Sequence, residues 1–65
     1  MKVKIKEYFG KLPKYLTVGK VYDVVECIDY ECGFLQITDD EQQSRLILID
    51  RCSHLNDGSW EIVSE

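Results

Sequence analysis

The sequence predicts an all-β domain of five short strands wrapped into a small barrel, and three observations predict it. Apolar residues recur with a period of two rather than 3.6 along nearly the whole chain. Turn-forming residues interrupt that alternation at roughly even spacing. The chain has 65 residues, enough for one small domain that buries about 60% of the surface its unfolded form exposes. Strands this short with open edges invite pairing between molecules, and closing the sheet removes most of that edge.

The elements follow in order. Met1-Lys2-Val3-Lys4-Ile5-Lys6 alternates apolar residue and lysine without a fault, which reads as a half-buried strand with its lysines in water. Residues 9–15 contain the only proline and a glycine, and form a loop. Lys20 to Cys27 is rich in β-branched and aromatic residues and makes a second strand. The adjacent Val24 and Val25 suggest that this strand bends. Residues 28–31 form a turn, Gly33 to Thr38 a third strand, 39–43 an acidic turn, and Ser44 to Ile49 a fourth strand. Residues 50–55 suit a single 3₁₀ turn. Asn56-Asp57-Gly58-Ser59 is turn chemistry, because Asp-Gly tolerates positive φ. Trp60 to Val63 closes as the fifth strand.

Composition narrows the function classes. At 45% hydrophobic residues the chain is too apolar for a disordered segment. Its longest apolar run, Leu46-Ile47-Leu48-Ile49, is far short of the ~20 residues of a membrane helix. Lysines interrupt the first 14 residues, so no stretch there resembles a signal peptide, and a soluble cytoplasmic protein is expected. The net charge of −4 divides unevenly, with +5 over residues 1–20 and −9 over residues 21–65. Such a balance disfavours a general nucleic-acid binder, whose affinity comes from neutralising phosphates, and favours a basic partner.

Few residues suggest chemistry. Cys27, Cys32, Cys52 and His54 offer three sulfurs and a nitrogen, a donor set that zinc accepts. Their spacing does not match the common zinc knuckles, and the competing reading is small apolar packing in a reducing compartment. Cys52 and His54 lack the positive surroundings that activate a thiolate. Asp39, Asp40 and Glu41 lack the alternating oxygen ligands of a calcium loop, and read as a solvated hairpin turn. No enzyme, metal or cofactor is expected. Lys2, Lys4 and Lys6 share one strand face about 6.6–6.8 Å apart, a spacing able to track a phosphate backbone. Alternatively they guard an exposed strand edge and oppose acids such as Glu61 or Glu26. Tyr22, Phe34 and Trp60 suit the core or its edge.

The run Leu16-Thr17-Val18-Gly19-Lys20-Val21-Tyr22-Asp23-Val24, followed by Gly33-Phe34-Leu35-Gln36-Ile37-Thr38-Asp39-Asp40, resembles short SH3-like barrel proteins of phages and prophages. The resemblance extends over about four-fifths of the chain and carries structural positions only. It implies a five-stranded SH3-like barrel over residues 1–65 with a short 3₁₀ turn before the last strand. Where that group has an aromatic late in the fourth strand, this chain has Leu48 and Ile49. SH3-like barrels use the loop between the first two strands as one wall of a binding surface. By that analogy Tyr8, Phe9, Leu12, Tyr15 and Tyr30, near Asp29 and Glu31, form an amphipathic patch for a protein partner, or Phe9, Leu12 and Leu16 cap an open barrel end. The expected function is a non-enzymatic binding module that docks on a host or phage protein. Nucleic-acid binding through Lys2, Lys4 and Lys6 is the alternative.

Overall fold

Five antiparallel strands form one sheet in a computed structural model that describes residues 1–64. They are β1 (Lys2–Glu7), β2 (Val21–Asp29), β3 (Phe34–Thr38), β4 (Ser44–Leu48) and β5 (Ser59–Ser64), with a 3₁₀ turn at Ser53–Leu55. The order across the sheet is β4-β3-β2-β1-β5. Each expected strand is present. The second runs two residues further than the alternation suggested, which moves the following turn to residues 30–33.

The period-two reading of the inner face holds. Val3, Ile5, Tyr22, Leu35, Ile37, Ile47 and Trp60 alternate inward and are joined by Leu16, Cys52 and Leu55 in one buried cluster. Tyr22 packs edge-on against Trp60, with ring centroids 5.8 Å apart, a favoured arrangement for aromatic quadrupoles. Phe34, expected at the core or its edge, lies on the opposite face from Leu35 and is half-buried.

The pairing of β2 with β3 slips between Val24 and Glu26, where the two valines predicted a bend, and again between Cys27 and Asp29. These irregularities let β2 belong to both halves of the sheet, pairing with β1 through residues 21–23 and with β3 from Val24 onward. The curl stops short of closure. β4 and β5 remain the two outer strands, and the amide of Trp60 donates to the Ile49 carbonyl at 2.8 Å across the seam. Residues 49–58 cross from the end of β4 to the start of β5 through the 3₁₀ turn, closed by the Cys52–Gly58 bridge, and β4 and β5 form no ladder. The Cα radius of gyration, 10.4 Å, is still that of a compact chain, for which about 11 Å is expected at this length.

Two glycines serve different needs. Gly19 has φ +87° with open space around its missing side chain, so it supplies the backbone turn into β2. Gly58 is buried and its φ is not positive; a Cβ there would overlap the Glu7 carbonyl oxygen and sit 2.8 Å from Tyr8 Cα. The positive φ values of this turn fall on Asn56 and Asp57 instead. Among the described residues no helix is long and apolar enough to cross a membrane.

Candidate functional site

The topology separates the residues that the sequence grouped. The β1–β2 loop leaves β1 at Glu7, whereas the β2–β3 turn lies beside Met1 at the other end of that strand. Tyr8, Phe9, Leu12 and Tyr15 therefore occupy one end of the sheet, and Asp29, Tyr30 and Glu31 the other. A single patch of all seven is not formed.

At the first end most groups hold the fold together. The Phe9 backbone is fixed on both sides: its amide donates to Leu55 O at 3.1 Å, and Asn56 Nδ2 donates to its carbonyl at 2.6 Å. Its ring remains half exposed, while Leu12 packs partly buried against the core. Tyr15 lies beside His54, with Oη 2.8 Å from Nδ1, and His54 Nε2 is 3.0 Å from the Leu46 carbonyl. A carbonyl only accepts, so Nε2 carries a proton and donates to it. The Arg45 guanidinium stacks over the Tyr15 ring, 4.1 Å from its centroid.

The Asp39-Asp40 turn, read from sequence as solvated, is instead a structural knot. Asp39 is 2% exposed. Its Oδ1 accepts the amides of Glu41 and Gln43, both at 2.8 Å, and its Oδ2 accepts from Arg45 Nε at 2.6 Å. Burial alone would push this carboxyl up, but Arg45 and the two amides outweigh it and hold the group below the ordinary carboxylate value. Asp40 ties the long loop to the sheet, accepting from Lys20 and Thr17 at 2.6 Å and from Tyr22 Oη at 3.0 Å. Lys20 is the main cause of its lowered pKa, followed by Thr17. Reciprocally, the bond to Asp40 raises Lys20. Tyr22 is raised chiefly by burial. A shallow hollow of about 330 Å³ beside this knot, lined by Lys20, Tyr22, Asp23 and Asp39, holds charges that already have partners.

A cleft of about 280 Å³ opens at the other end. Leu35, Ile49, Ile62 and Met1 supply apolar walls, and Tyr30, Glu31, Cys32, Gly33 and Asp50 line the rest. Asp29 shapes the turn, its Oδ1 accepting the amides of Glu31 and Cys32 at 3.1 and 3.3 Å. The same carboxylate, through a hydrogen bond to the thiol, raises Cys32 and so lowers its reactivity. Tyr30 stands 70% exposed above the cleft.

The lysine face differs from both sequence readings in part. β1 is an interior strand, so its lysines guard no edge. Lys4 does oppose Glu61, at 3.5 Å, but Lys2 faces Asp23 at 4.0 Å rather than Glu26. The cysteines and histidine do not converge. Cys52 is buried in the core, Cys27 and Cys32 are exposed with free thiols, and both ring nitrogens of His54 are engaged. No group of three metal-ligating side chains occurs among the described residues.

Sequence reasoning missed the cleft because its walls come from four separate elements. It also missed an apolar strip on the outer face, Leu46 and Leu48 of β4 with Phe34 opposite Leu48. A signal for that strip was present. Four consecutive apolar residues in a strand must place two of them on each face. Comparison with known protein families, curated proteins and solved structures gives no match to this chain.

Proposed function

We propose that this protein is a non-enzymatic binding module, an SH3-like small barrel of phage or prophage type that docks on a host or phage protein in the bacterial cytoplasm. The observation that carries the reading is the cleft at the β2–β3 turn, which has apolar walls, an exposed tyrosine and two acids without an ion-pair partner among the described residues. Interfaces favour this combination of aromatic anchor, apolar centre and polar rim. The strand order, the long β1–β2 loop and the 3₁₀ turn before β5 support the SH3-like assignment. The nucleic-acid alternative loses support, because Lys2 and Lys4 face Asp23 and Glu61.

Affinity capture from nuclease-treated bacterial lysate tests the reading. Support requires that a captured protein, purified separately, rebinds in a saturable 1:1 complex. Fluorescence anisotropy with duplex DNA and single-stranded RNA provides the opposite outcome. Tight binding whose log affinity falls with log salt at a slope of about −3, as three phosphate contacts give, would replace the module reading with the nucleic-acid one.

A further inference from the structure

We propose that the cleft between the β2–β3 turn and β5 receives an arginine side chain presented by an apolar segment of a partner protein. The proposal rests on the binding-module reading and adds the chemistry of the ligand. Three features single out that side chain.

The first is charge. Glu31 and Asp50 line the cleft, and among the described residues no lysine, arginine or histidine does. Among the described residues neither carboxylate has a hydrogen-bond or ion-pair partner. Lys2 faces Asp23, Arg51, although next in sequence to Asp50, is not part of the lining, and Met1, which does line the cleft, makes no ion pair with either acid through its amino group. The carboxylates that do hold an ion-pair partner, Asp23, Asp39, Asp40 and Glu61, do not line the cleft. An anionic ligand would be repelled, whereas a cation would complete two charge-assisted hydrogen-bonding groups.

Shape gives the second. The charged groups accompany apolar walls formed by Leu35, Ile49 and Ile62. A small inorganic cation would gain nothing from those walls. A long amphipathic side chain uses both, laying its methylenes on the apolar surface and its charged head at the acids. The volume of about 280 Å³ falls just below the roughly 300–1,000 Å³ of small-molecule sites, and suits one long side chain with an apolar neighbour.

The third is Tyr30, which lines the same cleft as the two acids and whose exposed ring is free to offer a cation its π face. Arginine exploits this better than lysine, because the guanidinium is planar, weakly hydrated, able to stack on the ring and able to engage a carboxylate with two donors. At 70% exposure the ring of Tyr30 is available for a ligand to cover.

Titration of the ¹⁵N-labelled protein with the peptide acetyl-Gly-Leu-Arg-Leu-Gly-amide tests the assignment. The same peptide with citrulline in place of arginine, and with glutamate, are the controls. The expected result is saturable shifts confined to the amides of residues 30–33, Ile49, Asp50 and Ile62. Affinity should fall about tenfold for citrulline, and about tenfold for the arginine peptide on the Glu31→Gln/Asp50→Asn variant, as loss of charge-assisted bonding predicts. Both substitutions are on exposed side chains, and an unchanged spectrum verifies the fold. Equal affinity for citrulline, undiminished binding by the double variant, or shifts at the Tyr8, Phe9 and Tyr15 end would overturn the proposal. If no peptide binds while the purified partner still does, the cleft assignment fails and the module reading stands. If the partner also fails and oligonucleotides bind, both fall.

Discussion

Replacing Gly58 with alanine tests the route by which β5 meets β1. The added Cβ would collide with the Glu7 carbonyl and lie 2.8 Å from both Glu7 C and Tyr8 Cα. These are backbone atoms at the end of β1, so no rotamer change relieves the contact. Either the Glu7–Ser59 pairing or the Cys52–Gly58 bridge must open. Overpacking of this kind costs about 1–3 kcal/mol, and rigid neighbours place Gly58→Ala at the upper end, about 2–3 kcal/mol. A chain of this length has a total stability of roughly 3–10 kcal/mol. At about 4–8 °C per kcal/mol for a domain this small, the melting temperature should fall by roughly 10–20 °C. Thermal unfolding followed by far-UV circular dichroism measures it, with two controls. Gly19→Ala meets open space and bears only the positive φ, about 1 kcal/mol. Asp57→Gly relieves a positive φ of 75° and should stay within about 0.5 kcal/mol of the parent protein. If Gly58→Ala melts with the parent, or no lower than Gly19→Ala, the close approach of the two strands is not what requires glycine here.

Other outcomes follow from the knot and the lysine face. Tyr22→Phe removes the oxygen that accepts the Thr17 amide at 2.7 Å and donates to Asp40, and should cost about 1–3 kcal/mol in denaturant unfolding. Asp39 and Asp40 both titrate below the ordinary value of 3.8 in the native state. Their contribution is therefore complete above that value and disappears as pH falls through the native pKa, so Asp40→Asn should flatten the acid limb of a plot of melting temperature against pH. Lys20 titrates above 10.5, so its contribution is complete below that pH and disappears as pH rises through the native value. The same variant should flatten the alkaline limb too, and an unaltered profile would contradict the coupling. Lys4→Ala breaks an exposed pair with Glu61 and should shift stability by less than about 1 kcal/mol.

What was legible in the sequence was local. Alternation along residues 1–6 placed Val3 and Ile5 inside, because the strand period of two is a property of the backbone and holds whatever packs against it. The paired valines gave the bend in β2 for the same reason. In the third strand the aromatic Phe34 was expected at the core or its edge, whereas its neighbours Leu35 and Ile37 are the buried ones. The Asp39-Asp40 turn was located correctly but misread, since composition shows that two acids sit in a turn and not that Arg45, Lys20 and Tyr22 close over them. Likewise Asp-Gly marked a turn at residues 57–58, yet the constraint on Gly58 is Glu7, some fifty positions away in the chain.

By itself, then, the sequence determined that five strands form, roughly where each lies, and the inward face of the first, Val3 and Ile5. Only the tertiary structure decided that the sheet stays open between β4 and β5, that the loop aromatics fall at opposite ends, and that Tyr30, Glu31, Asp50 and Ile62 share a cleft. The physical reason is range. Backbone sterics and side-chain alternation act over a few residues, whereas closure and clefts depend on where segments from four parts of the chain come to rest against one another.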